Sequence, residues 1–229
     1  MNIEYHVSVN GCDRAEGSRE NPFRTISRAA AIAETGDRVI VHEGVYREWV
    51  KPAHTGYSNI SRITYEAAEG EKVVIKGSER IQNWEQTEGT VWKAVVPNTL
   101  FGDYNPYQEI LGGDWFLYPC ADGPEGYCIH TGDVYLNGKS FFEAKSLEDV
   151  KNPVIRTEGY NPPWTKRTEP ILHPEDTVYQ WYAQVDDENT TIYANFQGAD
   201  PNRELVEINV RKCCFYPEKP GMNYITVRG

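Results

Sequence analysis

The sequence has no long apolar run. Stretches such as Val39-Ile40-Val41 and Val73-Val74-Ile75 fall far short of the ~20 residues that a membrane-spanning helix needs, so no membrane span is read in these 229 residues. Nor is there an excess of positive charge: 23 Lys and Arg face 34 Asp and Glu, for a net charge of -11. A chain so acidic has no basic surface with which to release counterions from a phosphate backbone, so nucleic acid is not an expected partner. The opening residues, Met1 to Asn10, lack the apolar core of a secretory leader. Cysteine is scarce and odd in number, at five. Without a leader this predicts reduced thiols and a cytoplasmic location. Cys120 and Cys128 flank a Gly- and Pro-rich loop, where a disulfide or a metal pair is the alternative to free thiols. No second Cys/His pair stands at zinc-finger spacing, so neither a metal site nor a cofactor is expected.

Alternating strands and long helices are also missing, which disfavours a doubly wound α/β fold. What is present is aromatic, turn-rich and β-like. Aromatic content of 12% is too high for a disordered chain. The one helix signal starts at Asn21-Pro22, a capping residue followed by proline. It continues through Ile26, Ala29, Ala30 and Ala33 at helical spacing and stops at Thr35-Gly36. Its face of small residues suits a helix lying flat over the end of a sheet structure. Short β runs follow at Val39-Ile40-Val41, Trp49-Val50, Ile63-Thr64-Tyr65 and Val73-Val74-Ile75, separated by turn residues.

Beyond Gly77 the character changes. Five of the six tryptophans lie between Trp84 and Asn202 (Trp84, Trp92, Trp115, Trp164 and Trp181). Val134-Tyr135-Leu136 runs through Asn137-Gly138 into Phe141-Phe142, a hairpin pattern because both central positions of a type I′ turn need positive φ. Val178 to Val185 alternates, turns through Asp186-Asp187-Glu188-Asn189 and returns as Thr191 to Phe196, as in a half-buried antiparallel sheet. After Pro201 the earlier character resumes, with Val206 to Val210 read as a strand, Cys213 to Tyr216 extending it, and Tyr224 to Val227 as another. The expected organisation is therefore residues 1–77 as a capping helix and first coils, 78–203 as an inserted β-sandwich, and 204–229 as a return to the coils. Such a stack needs successive coils and a terminal cap, and no end cap is read after Val227. Association with another chain or with further coils, or homo-oligomerisation, follows as an expectation.

The stretch from Tyr5 to Gly11, then Asn21-Pro22-Phe23-Arg24-Thr25-Ile26, Thr35-Gly36-Asp37 and Gly44-Val45-Tyr46-Arg47-Glu48 resembles the opening of right-handed parallel β-helix proteins. A closer match spans His42 to Pro52, Glu69 to Ile81, Gly132 to Gly138 and Thr191 to Asn202. These segments resemble glycoside hydrolase family 120 β-xylosidases. The resemblance implies an all-β fold, a right-handed parallel β-helix interrupted early by a β-sandwich, and retaining hydrolysis of β-1,4-xylooligosaccharides. It also implies that the Asp nucleophile and Glu acid/base lie on later coils, so no catalytic residue is expected among these 229.

The same resemblance places the tryptophan of Gly113-Asp114-Trp115 at the sugar, because an aromatic face stacks on the C–H face of a pyranose. Trp115 is thus the leading substrate contact, with Asp114 beside it and Trp164 as a second loop tryptophan. Trp84, Trp92 and Trp181 fall on strand-like runs and read as core. Asp186-Asp187-Glu188 reads as a solvated turn, and His42, His54, His130 and His173 show no ligand spacing. A non-catalytic carbohydrate-binding or scaffolding module, and a polysaccharide lyase-like β-helix protein, remain the alternatives.

Overall fold

A computed structural model describes residues 2–112, 128–159 and 167–229. Trp115, Asp114, Cys120 and Trp164 lie outside the described residues. The chain divides into two compact units, one of residues 1–77 with 211–229 and one of residues 78–210. It is all-β apart from two α-helices and two 3₁₀ turns among the described residues.

In the first unit the strands β1 (Glu4–Val7), β2 (Arg38–Val41) and β4 (Ile63–Ala67) stack in parallel, and Ile225–Arg228 adds a fourth in the same sense. Between them, β3 (Gly44–Arg47) and β5 (Val73–Lys76) form a second parallel ladder. The chain thus returns repeatedly to the same two ladders, each turn laid in register on the last. Side chains alternate with period two. Val7, Val39, Val41, Ile63 and Tyr65 point into the core with Phe23 and Ile26. The other face carries a file of charge: Arg38 bonds Glu4 on one side and Glu66 on the other, and Arg228 bonds Glu66 from beyond. Burial pushes the Glu66 carboxyl up, but the Arg228 and Arg38 hydrogen bonds outweigh it and hold the group below the usual carboxylate range.

Helix α1 (Ile26–Ala30) closes this core with Ile26, Ala29 and Ala30. It starts four residues later than the Asn21-Pro22 signal suggests. The reason is a competition for backbone N–H groups. Phe23 pairs with Val7 as an extended bridge, and the Asp13 carboxylate accepts from Arg24 and Thr25 at 2.9 Å each. Thr25 is the cap, its hydroxyl accepting from the Arg28 N–H at 3.1 Å. Glu48 then accepts from the N–H of Ile26 at 2.9 Å and of Ser27 at 2.7 Å. The acid of the Gly44-to-Glu48 motif therefore satisfies donors that a helix start leaves open. Past the helix, Asp37 accepts from Ile3 and Glu34 at 2.8 and 2.9 Å and fixes the turn at Gly36, where φ is +89°.

The second unit contains two sheets sharing one core. One holds β6 (Ser78–Arg80), β9 (Val134–Leu136), β10 (Lys139–Ser140) and β14 (Val206–Asn209), in the order β10-β9-β14-β6. The other holds β7 (Glu85–Glu88), β8 (Val91–Pro97), β11 (Phe142–Glu143), β12 (Gln180–Val185) and β13 (Asn189–Asn195), in the order β11-β12-β13-β8-β7. Trp84, Ala94, Trp181, Ile192 and Phe196 meet Val134, Val206 and Ile208 in the core. The segment Val206 to Val210, read from the sequence as a return to the coils after residue 203, instead pairs antiparallel with β6 and β9 inside this unit. Its apolar alternation suits either sheet, and only the long-range partners decide.

The Asn137-Gly138 turn has φ of +53° and +84°, and the hairpin places Lys139 opposite Leu136. At the other hairpin, Asp186 accepts from the N–H of Glu188 at 2.9 Å and Asn189 at 2.7 Å. These bonds hold its carboxyl below the usual range, the signature of a turn rather than a reactive pair. Trp84 and Trp181 are buried, and Trp92 packs partly buried against the same core. Cys12, Cys213 and Cys214 are free thiols. Cys128 is disulfide-bonded, which corrects the expectation of free thiols at that residue and removes part of the argument for a reducing compartment. Among the described residues no helix is long and apolar enough to cross a membrane.

Candidate functional site

A cleft of about 500 Å³ opens in the second unit, built where β10, β11 and β12 meet the segments around His130 and Gly159. Its floor is apolar: Phe141, Phe142, Ile129, Ile171 and the edge of Trp181. Trp181 is anchored edge-on to Tyr107 at a ring separation of 5.3 Å. At Gly132 the backbone passes close to both rings. A Cβ there would lie 2.7 Å from the Tyr107 ring and 3.1 Å from Trp181.

Three charged groups are set around this floor. His130 is held by one carboxylate at two points, its backbone N–H donating to Glu143 Oε2 at 2.7 Å and its Nδ1 lying 2.6 Å from Glu143 Oε1. An ionised carboxylate can only accept, so Nδ1 carries a proton and donates it to Glu143. Asp133 accepts from the Val134 N–H at 2.7 Å and the Ser140 hydroxyl at 2.6 Å. Burial pushes its carboxyl above the usual range, and these hydrogen bonds only partly offset that. The Arg156 guanidinium lies 5.5 Å from the centre of the Phe142 ring, a cation held over an aromatic face.

A concave apolar floor with a few convergent polar groups and a perturbed carboxyl is the general form of a small-molecule site. Here the polar inventory is an imidazole, two carboxylates and a guanidinium. It suits hydroxyl groups above a flat C–H face. The cleft is lined by Ile129 and Gly159, which stand close in sequence to the two undescribed stretches, 113–127 and 160–166. The three substrate contacts expected from the sequence, Asp114, Trp115 and Trp164, fall in those stretches, so the described residues neither gather nor separate them. His130, Glu143, Asp133 and Arg156 were missed. The available signal was the tight loop from Gly132 to Glu143, which folds position 143 back on position 130.

Of the remaining histidines, His173 stands with Glu175 and Asp176 in an exposed group at a 3₁₀ turn. His42 is not isolated: it meets His6 across adjacent strands.

Comparisons with known proteins agree with this division of the chain. The family model described as "Glycoside hydrolase 120, insertion domain" matches residues 81–208, and a model described as a protein of unknown function matches residues 9–53. A solved structure, "The complex structure of XylC with xylose", aligns with a TM-score of 0.92 at 57% identity, over 99% of this chain and 34% of that one. The "Uncharacterized protein YwoF" of Bacillus subtilis (strain 168) is 42% identical over 72 residues, which is 31% of this chain and 15% of that protein. The chain thus spans about a third of the solved relative's length. With the insertion-domain model covering more than half of its residues, this chain belongs to glycoside hydrolase family 120.

Proposed function

We propose that the chain is the N-terminal part of a retaining glycoside hydrolase of β-xylosidase type that acts on β-1,4-xylooligosaccharides. The observation that carries this reading is the close structural match, over nearly the whole chain, to a protein solved with xylose. In this reading the first unit begins a right-handed parallel β-helix and the second is a β-sandwich inserted into it. The cleft over Phe141 and Trp181 takes a xylose unit, and Trp115, Asp114 and Trp164 are the substrate contacts that the family resemblance implies. Retaining hydrolysis needs two carboxylates about 5–5.5 Å apart. We assign that pair to further coils of the β-helix outside these 229 residues.

A second reading, a non-catalytic carbohydrate-binding module, draws support from the cleft being made wholly of second-unit residues. One pair of experiments separates the two. The reading frame carrying this chain and the 229-residue chain itself are assayed on p-nitrophenyl β-xyloside, and xylobiose binding to the chain is followed by calorimetry. The hydrolase reading expects turnover by the longer protein only. Turnover by the chain alone would remove the assignment of the acids to other coils. Inactivity of the longer protein on every pentoside, with sugar binding retained by the chain, would leave the binding module.

A further inference from the structure

The cleft of the second unit continues along the edge of its sheet. β11 is the outermost strand there, and a second hollow of about 260 Å³ lies against it, lined by Ala144, Lys145, Asn152, Val154 and Gln180. Glu143 and Arg156 line both spaces. On one wall the lining passes from Gly159 through Arg156 to Val154 and Asn152. On the other it passes from Phe141 through Glu143 to Lys145. The two spaces are therefore successive stretches of one groove along β11, and they meet at Glu143.

Thr177, fully buried, ties the walls of the hollow together. Its hydroxyl accepts from the Arg156 N–H at 2.9 Å, and its carbonyl accepts from Gln180 Nε2 at 3.0 Å. The second bond fixes the Gln180 amide, because only its nitrogen can donate to a carbonyl, and Oε1 is left as an acceptor. Gln180 is 9% exposed, and its Oε1 meets no donor among the described residues. A buried acceptor without a donor is destabilising until one is supplied. Glu143 holds His130 through one bond to each of its oxygens, which leaves lone pairs on both for a further donor. Lys145 and Arg156 balance Glu143 and Asp149 around the space. The hollow thus suits donors on an uncharged ligand, and sugar hydroxyls are such donors.

We propose that this groove takes two consecutive pyranose units, one in the cleft and the next in the hollow at Gln180, with Glu143 between them. The inference rests on the reading of the cleft as a xylose site and adds the neighbouring subsite to it. In the bound state Gln180 accepts from a hydroxyl of the second sugar, and Glu143 accepts from hydroxyls on either side of the linkage. The groove then distinguishes a disaccharide from a monosaccharide and gains nothing from a third unit.

The test is calorimetric titration of the 229-residue chain with xylose, xylobiose and xylotriose. Xylobiose is expected to bind about tenfold tighter than xylose, the effect of one hydrogen bond to a charged group, and xylotriose no tighter than xylobiose. Val154 is 72% exposed, so Val154→Trp fills the hollow from its rim without disturbing the core. That variant is expected to bring xylobiose to the affinity of xylose and to leave xylose unchanged. The Gln180 side-chain amide resonance of the unmutated chain gives a readout independent of how the variant folds, and it is expected to shift with xylobiose and not with xylose. Equal affinity for xylose and xylobiose would overturn the second subsite and leave the reading of the cleft standing. A gain for xylobiose that survives Val154→Trp, or a Gln180 resonance that stays still, would put the second sugar elsewhere and overturn it as well. No heat with any of the three sugars would overturn both readings.

Discussion

Replacing Glu48 by alanine removes the acceptor that β3's turn supplies to the start of α1. The carboxylate takes the N–H groups of Ile26 and Ser27 and also the Ser27 hydroxyl. Hydrogen bonds to a charged group contribute about 1.5–3 kcal/mol each, and a negative charge at a helix start adds about 0.3–1 kcal/mol. Water reaches the half-buried site once the side chain is gone, so the lower end applies. Glu48→Ala is expected to destabilise the first unit by about 3–5 kcal/mol, and Glu48→Gln, which keeps one acceptor oxygen, by about half of that. Fluorescence is the wrong assay, because Trp49 is the single tryptophan of the first unit. Hydrogen exchange at the buried Ala29 and Ala30 amides in increasing urea follows that unit directly. Exchange free energies for Glu48→Ala within about 0.5 kcal/mol of the parent, the range of an ordinary surface substitution, would refute the capping role.

Other perturbations probe the turn, the cleft and the charged file. Gly138→Val forces a β-branched residue to a φ of +84° and is expected to cost about 1–2 kcal/mol, measured by urea unfolding of the second unit. Gly132→Ala drives a methyl into Tyr107 and is expected to lose about 1–3 kcal/mol. It should also change the near-ultraviolet circular dichroism of the Tyr107–Trp181 pair, and an unchanged spectrum would contradict the packing. Glu66 has a depressed pKa in the folded chain. Its contribution to stability is therefore present above the unfolded carboxylate range and lost as pH falls through the folded value. Glu66→Gln is expected to flatten the acid limb of a stability-against-pH profile, and a limb as steep as the parent's would count against the Arg38–Glu66–Arg228 file. Trp115→Ala is expected to abolish xylobiose binding by calorimetry, and unaltered binding would move the sugar away from that loop.

Much of this fold was legible in the sequence where the signal is local. Asn137-Gly138 between apolar runs specified its turn, because few other residue pairs adopt two positive φ angles in succession. The rise in tryptophan after Gly77 marked a second core. What was missed depends on partners far along the chain. Glu48 reaches back 22 residues to Ile26, and His42 meets a histidine 36 residues away, through a coil spacing that follows no fixed sequence period. The strand at Val206–Asn209 alternates as well for one unit as for the other, and its register with β6 and β9 is a property of the assembled sheet. The early helix signal at Pro22 failed because Asp13 and Val7 capture the backbone first. His130 and Glu143 have no spacing rule, since a hairpin lies between them.

Anomeric proton resonance during cleavage of xylobiose by the reading frame that carries this chain tests the functional reading most directly. β-Xylose is expected as the first-formed product, mutarotating afterwards, with the rate falling sharply in Trp115→Ala. Initial release of α-xylose would contradict the retaining mechanism, and no release from any β-1,4-xyloside would contradict the assignment itself.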